Sequence, residues 1–140
     1  MAVYSYPIVT GLTAAALGIL CIILTIYVIA GRATLKVGLG DGGHDAMNNR
    51  IRMHGNFIEN APIFLILLGL VELSGRHPVT VGCLGPAFVA CRISHAIGLR
   101  PSMGAGRNPF RFVGTLGTMI CLSILSVELL LMLLPHLGEW

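Results

Sequence analysis

Arg52, Asn56 and Glu59 stand at the mouth of an apolar stretch that begins at Phe57. At 100° per residue they fall on one helix face, within roughly 60° of one another. An arginine offers a fork of donors to carboxylates, and a glutamate offers an acceptor to an ammonium group. Left unpaired in lipid, such a face is costly. It is therefore either an internal ion pair or a polar cradle for a ligand at the membrane boundary. A second cluster, Arg92 and His95, has the three-residue spacing of neighbours on a helix. Arg92 either snorkels to phosphate headgroups or pairs with a carboxylate at its own depth, for which Glu59 is the expected partner. A third group follows Asn108-Pro109, which reads as an N-cap and a proline in the first helical position. This puts Arg111 in the first turn, where a cation opposes the helix dipole. Unless it reaches into solvent or headgroups, Arg111 and the helix-end N–H groups together face an anion.

The elements that hold these residues are membrane spans. The chain is 140 residues, 55% hydrophobic and 11% charged, against about 25% charged in soluble domains. Its first 31 residues carry no charge, more than the ~20 needed to cross a bilayer core. A cleaved leader would have a basic start and a shorter apolar core. The first stretch is therefore expected to be a retained span. Three more apolar stretches follow, giving a single domain over residues 1–140 with spans at about 6–31, 46–74, 79–99 and 109–137. Continuous apolar runs need helices to satisfy their backbone, and the alternation of a membrane barrel is missing. The fold class is an all-α, four-helix transmembrane bundle.

Charge gives the orientation. Arg32, Lys36, Arg50, Arg52, Arg100, Arg107 and Arg111 lie on the first and third connections or at their ends, against Arg76 alone on the second. The positive-inside bias makes loops one and three cytoplasmic and puts both termini outside. Tyr4, Tyr6 and Trp140 then fit an outer aromatic belt. The net charge of +3 follows from topology, so no nucleic-acid partner is implied.

The first helix should end near Gly31 or Arg32, before the glycine-rich stretch 38–43. Asp45 is the expected N-cap of the second helix, and Pro62 and Pro86 are candidate kinks. Arg32 and Lys36 read equally well as topology signals or as ligand groups. Glu72 reads as an outer interface charge. Glu128, well inside the fourth span, is open to three readings: protonated, paired across a subunit contact, or reaching headgroups. Cys21, Cys83, Cys91 and Cys121 all lie within spans without a CxxC pair, and read as small apolar fillers. Neither a metal site nor a disulfide framework is expected. Small residues in the first and fourth spans, Gly114 and Gly117 among them, permit close helix approach.

The pattern Arg52-x-His54-x-Asn56-x-x-Glu59-x-x-Pro62-Ile63-Phe64 resembles the second-helix signature of the MAPEG family, the membrane-associated proteins in eicosanoid and glutathione metabolism. Arg92-x-x-His95 is similar to the third-helix motif of its prostaglandin E synthase branch, and Arg111 to the arginine that opens helix four. The His-Gly-Asn form and the glycine-rich first loop look most like small bacterial members, which implies a bacterial inner membrane. The resemblance implies a homotrimer that binds glutathione between subunits near the cytoplasmic face. A lipophilic second substrate would enter from the bilayer lipids. Glutathione would be a co-substrate, with two carboxylates, one ammonium and one thiol. By resemblance Glu59 would hold its amino group, and Arg52, Asn56, Arg92 and His95 would line the pocket. Arg32 would reach a carboxylate, and Arg111 would be the catalytic cation that favours the thiolate.

Three positions depart from that pattern. Gly55 replaces a second arginine, Leu99 a tyrosine and Phe112 a serine. The prostaglandin reaction is therefore not expected. A glutathione transferase or peroxidase acting on lipophilic electrophiles or lipid hydroperoxides is the leading expectation. Its rivals are a non-catalytic lipid-binding scaffold of the same fold and a small proton-coupled transporter. Several arginines around one glutamate, and a first span without charge, disfavour the transporter.

Overall fold

The computed structural model describes residues 6–100 and 108–138. Each apolar stretch forms one helix: α1 spans Ile8–Leu35, α2 Asp45–Ser74, α3 Pro78–Gly98 and α4 Pro109–Leu133. A single 3-10 turn, Leu134–His136, follows α4. All four helices are long and apolar enough to cross a membrane, so the protein is an integral, multi-pass membrane protein. Consecutive spans must alternate in direction. The end of α1, the start of α2, the end of α3 and the start of α4 therefore share one end of the bundle. That end carries Arg32, Lys36, Arg50, Arg52, Arg100 and Arg111, and is called the basic end below.

The core is built around α2. Its buried residues Met53, Phe57, Ala61, Phe64, Leu68 and Val71 recur every three or four positions, which is one stripe of a helix. Leu17 and Leu24 of α1, Val81, Leu84 and Phe88 of α3, and Cys121 and Leu125 of α4 close over that stripe. Phe64 and Phe88 stack with ring centres 3.7 Å apart. The most extensive packing is α3 on α4 and α1 on α2. Outward faces of α1 and α4 are rich in exposed isoleucine and leucine. That is expected where lipid, not water, is the solvent.

Several local expectations change. Helix α1 continues past Gly31 to Leu35 and ends at Lys36, which adopts the left-handed conformation and donates its N–H to the Arg32 carbonyl. Gly31 is not a stop signal. It is buried, and a Cβ there would sit 2.6 Å from Cδ of Arg50. The glycine permits α2's arginine to cross α1. The turn itself is made later, where Gly40, Gly42 and Gly43 take positive φ. Asp45 is the first helical residue of α2, not its cap; His44 holds the cap position and gives no side-chain bond. Asp45 still places a negative charge on the dipole's positive end. Helices α2 and α3 run on through Pro62 and Pro86 without a break. Of the four cysteines only Cys121 is buried, and Cys83 is exposed. Tyr4, Arg107 and Trp140 lie outside the described residues.

Glu72 is not a free interface charge. Its carboxylate accepts hydrogen bonds from the Val9 N–H at 2.8 Å, the Thr10 N–H at 2.7 Å and the Thr10 hydroxyl at 2.6 Å. Pro7, at the cap position of α1, has no side chain able to do this. A carboxylate near the end of α2 therefore satisfies the orphan donors and the dipole of α1. Glu128 is likewise engaged within the protomer: Thr80 donates to it at 3.0 Å, and His77 Nδ1 lies 3.8 Å away. Replacing Glu72 by alanine should lower stability by about 1–2 kcal/mol, the range of a lost helix cap. Thermal melting in detergent checks this, with Leu73→Ala, an exposed neighbour, as a control that should melt close to wild type.

Candidate functional site

Arg92 sits on α3 one to two turns from the basic end and is only 3% exposed. A buried guanidinium must spend its donors on protein groups. One Nη donates to Asn56 Oδ1 of α2 at 2.8 Å. The other donates to the Gly114 carbonyl at 3.0 Å and to the Thr118 hydroxyl, both of α4. Thr118 in turn donates to the Gly114 carbonyl at 2.8 Å. The guanidinium also lies 5.5 Å from the centre of the Phe88 ring. One side chain thus joins three helices. All its acceptors are neutral, and its Nε has no partner.

The expected Arg92–Glu59 pair does not form. The reason is angular. Taking buried Met53 as the centre of the α2 core face, Asn56 lies about 60° to one side, and Arg52 and Glu59 about 100–120° round. Asn56 alone is turned far enough inward to meet Arg92. Arg52 and Glu59 are exposed, and among the described residues neither makes a side-chain hydrogen bond or ion pair.

His95, 6% exposed, lies one turn nearer the basic end, against α4. A Cβ at Gly114 would come within 2.5 Å of its backbone nitrogen and 2.7 Å of the Cys91 carbonyl. Gly98 is pressed in the same way against the backbone of Arg111. Two glycines, one on each helix, therefore lock the start of α4 onto the end of α3. Asn108 caps α4 as expected, its side chain accepting from the Phe110 N–H at 2.9 Å. Arg111 is exposed in the first turn, next to this seam.

The structure therefore brings Asn56, Arg92 and His95 together with α4. It leaves Arg52, Glu59 and Arg111 open on the surface. Arg32 is partly committed, donating to the Gly38 and Gly40 carbonyls at 3.4 and 3.1 Å and so holding loop one. Sequence reasoning missed Thr118, whose clue is its position four residues after Gly114. It also missed Arg50, taken there only as an orientation signal. Arg50 donates to the Tyr27 carbonyl at 2.9 Å and stacks 4.1 Å from the centre of the Tyr27 ring. Phe112 is exposed and Leu99 buried, so neither position supplies a hydroxyl.

A four-helix membrane bundle with a polar knot near one end and charged groups open beside it defines the class. The family assignment is direct: the MAPEG family model matches residues 10–131, and the chain belongs to that family. It is 34% identical over 71 residues to the inner membrane protein YecN of Escherichia coli K12, and equally to the YecN protein of Escherichia coli O6:H1. The match covers 51% of this chain and 54% of the relative, so the chain spans about half the length of the curated relatives it matches. No solved structure matches.

The geometry separates two kinds of residue by stability. Arg92→Ala orphans the Asn56 carbonyl and empties a packed site, and should cost at least ~1–3 kcal/mol. Arg92→Lys should not restore it, because an ammonium on one stem cannot reproduce the planar fork. Glu59→Ala should stay within about 0.5 kcal/mol of wild type, as an exposed substitution. Melting curves of the three variants in one detergent give the order.

Proposed function

We propose that the protein is a MAPEG-type membrane glutathione transferase or peroxidase, working as a homotrimer. The observation that carries this reading is the imbalance of charge at the site. Arg92 is buried with neutral acceptors alone, and Arg52 and Arg111 stand open with a single carboxylate, Glu59. Such a set lacks negative charge. Glutathione would supply it, since its two carboxylates and one ammonium give it a net negative charge. Its ammonium would match Glu59, and its carboxylates would match Arg52 and Arg32, whose fork keeps donors beyond those used by loop one. Asn56, Arg92 and His95 would form the floor. Residues that face out of the protomer also need a wall, and a neighbouring subunit would provide it.

Arg111 would favour thiolate over thiol. The thiolate sulfur would attack an electrophilic carbon of a lipophilic substrate, forming a C–S bond as the leaving group departs with its electron pair. With a lipid hydroperoxide it would attack the terminal oxygen and break the O–O bond. The products are the alcohol and glutathione sulfenic acid. A second glutathione would convert that acid to the disulfide and water. Purified protein with glutathione and a chlorinated aromatic electrophile tests the reading. Arg111→Ala and Glu59→Ala should each lower turnover at least tenfold, about 1.4 kcal/mol of barrier, without loss of folded protein. Unchanged turnover in both would sink the mechanism.

The second reading is a scaffold of the same fold that binds lipid without chemistry. It is favoured by the loss of hydroxyl groups at Leu99 and Phe112. Lipid binding by calorimetry, with no glutathione-dependent turnover of a broad electrophile panel, would select it. In either case we place the basic end in the cytoplasm, following the positive-inside rule. A C-terminal alkaline phosphatase fusion should be active, and a fusion in loop one inactive; the reverse pattern would invert the orientation.

A further inference from the structure

Between α1 and α3, toward the basic end, lies a cleft of about 620 Å³, within the ~300–1,000 Å³ usual for small-ligand sites. Its walls include Leu20 and Tyr27 of α1, Met53 of α2, and Ile93 and Ile97 of α3, with Arg100 at its mouth. The site is distinct from the Asn56–Arg92–Thr118 knot, which lies between α2, α3 and α4. Along α1 the lining runs from Leu20 to Ala30, about 15 Å at 1.5 Å per residue. It is almost wholly apolar until it reaches Arg100. Arg50 is outside the lining but stacks on the ring of Tyr27, a wall residue, and so adds positive charge nearby. The cleft is thus a long apolar slot with positive charge at one end.

We propose that this cleft holds an anionic glycerophospholipid, one acyl chain lying between α1 and α3 and its phosphate on Arg100. The shape asks for an amphiphile with a single chain-like apolar part in the slot. The charge asks for a net negative headgroup, because a zwitterionic lipid would bring its ammonium toward Arg100 and Arg50. A second copy of the chain is the poorer occupant. A phosphate answers Arg100 with negative charge, which the exposed isoleucine and leucine faces of a neighbouring subunit's α1 and α4 do not carry. The lipid is a bound stabiliser, and the proposal is independent of glutathione chemistry.

Full-length protein in detergent is melted with dioleoylphosphatidylglycerol or dioleoylphosphatidylcholine, lipids that share their chains. The phosphatidylglycerol should raise the apparent melting temperature at least ~3 °C more than the phosphatidylcholine, as binding to the folded state requires. Arg100→Gln, an exposed change outside the core, should abolish the difference while melting normally without lipid. Inorganic phosphate should have no effect. Equal responses to the two lipids, or a full response in Arg100→Gln, would overturn the proposal. An independent arm places photo-crosslinking benzoylphenylalanine at position 97 in membranes. A phospholipid-mass adduct supports the site. An adduct to a second copy of the chain gives the cleft to the subunit interface and overturns it.

Discussion

The bundle depends on one constraint: a guanidinium placed inside it must find its hydrogen bonds within the protein. Arg92 meets this by reaching Asn56 on α2 and Gly114 and Thr118 on α4. Lipid gives helices little hydrophobic reason to associate, so packing and interhelical polar contacts carry much of the specificity. A side chain that draws on three helices at once fixes their mutual rotation. It also explains why α4 must come so near α3. The carbonyl of Gly114 is within reach because that residue has no Cβ to hold the backbones apart.

Elsewhere the polar groups sort into closed and open sets. Glu72 is closed on the start of α1, while Glu128 on Thr80 and Arg50 on Tyr27 are engaged but each keep one buried atom, Oε2 and Nε, without a partner. These are bonds between helices, made at both ends of the bundle. Arg52, Glu59 and Arg111 are left over. They share the basic end with the exposed Lys36, Asp45 and Arg100, so among the described residues that end keeps charges of both signs unpaired. Exposed charges on a membrane protein can face headgroups, but a carboxylate on the same helix face as an arginine is a poor match for an anionic surface. It is a better match for a ligand carrying both signs.

The apolar architecture was legible in the sequence. The four spans follow from run length and charge scarcity, and the core stripe of α2 follows from the spacing of Met53, Phe57, Ala61 and Phe64. The pairing of charges was not legible. Arg92 and Glu59 lie at the same depth, and depth alone suggested a bond. Helix rotation decides otherwise, and rotation depends on which face α2 turns to the core. The same blindness hid the role of Glu72, since a helix cap supplied from 62 residues away leaves no local motif. Gly31 misled because a glycine that ends a helix and a glycine that admits a crossing side chain are written alike. Family membership was readable in the sequence, as the match of the family model over residues 10–131 shows.

The position of Arg111 follows from the same packing. Gly98 and Gly114 are both filled by backbone of the opposite helix, so the first turn of α4 cannot shift relative to α3 without collision. Arg111 is carried on that fixed turn, and Arg92 is anchored in the knot beneath it. The separation between the buried cation and the exposed one is therefore set by glycine contacts, not by a loop. If the site takes glutathione as proposed, a thiolate near one cation and carboxylates near others would gain from that rigidity, because electrostatic stabilisation is strongest where the charges need not reorganise. Among the described residues the open side of the trio has no such backing, which is the physical reason to look for a wall on a neighbouring subunit, as the proposed homotrimer would supply.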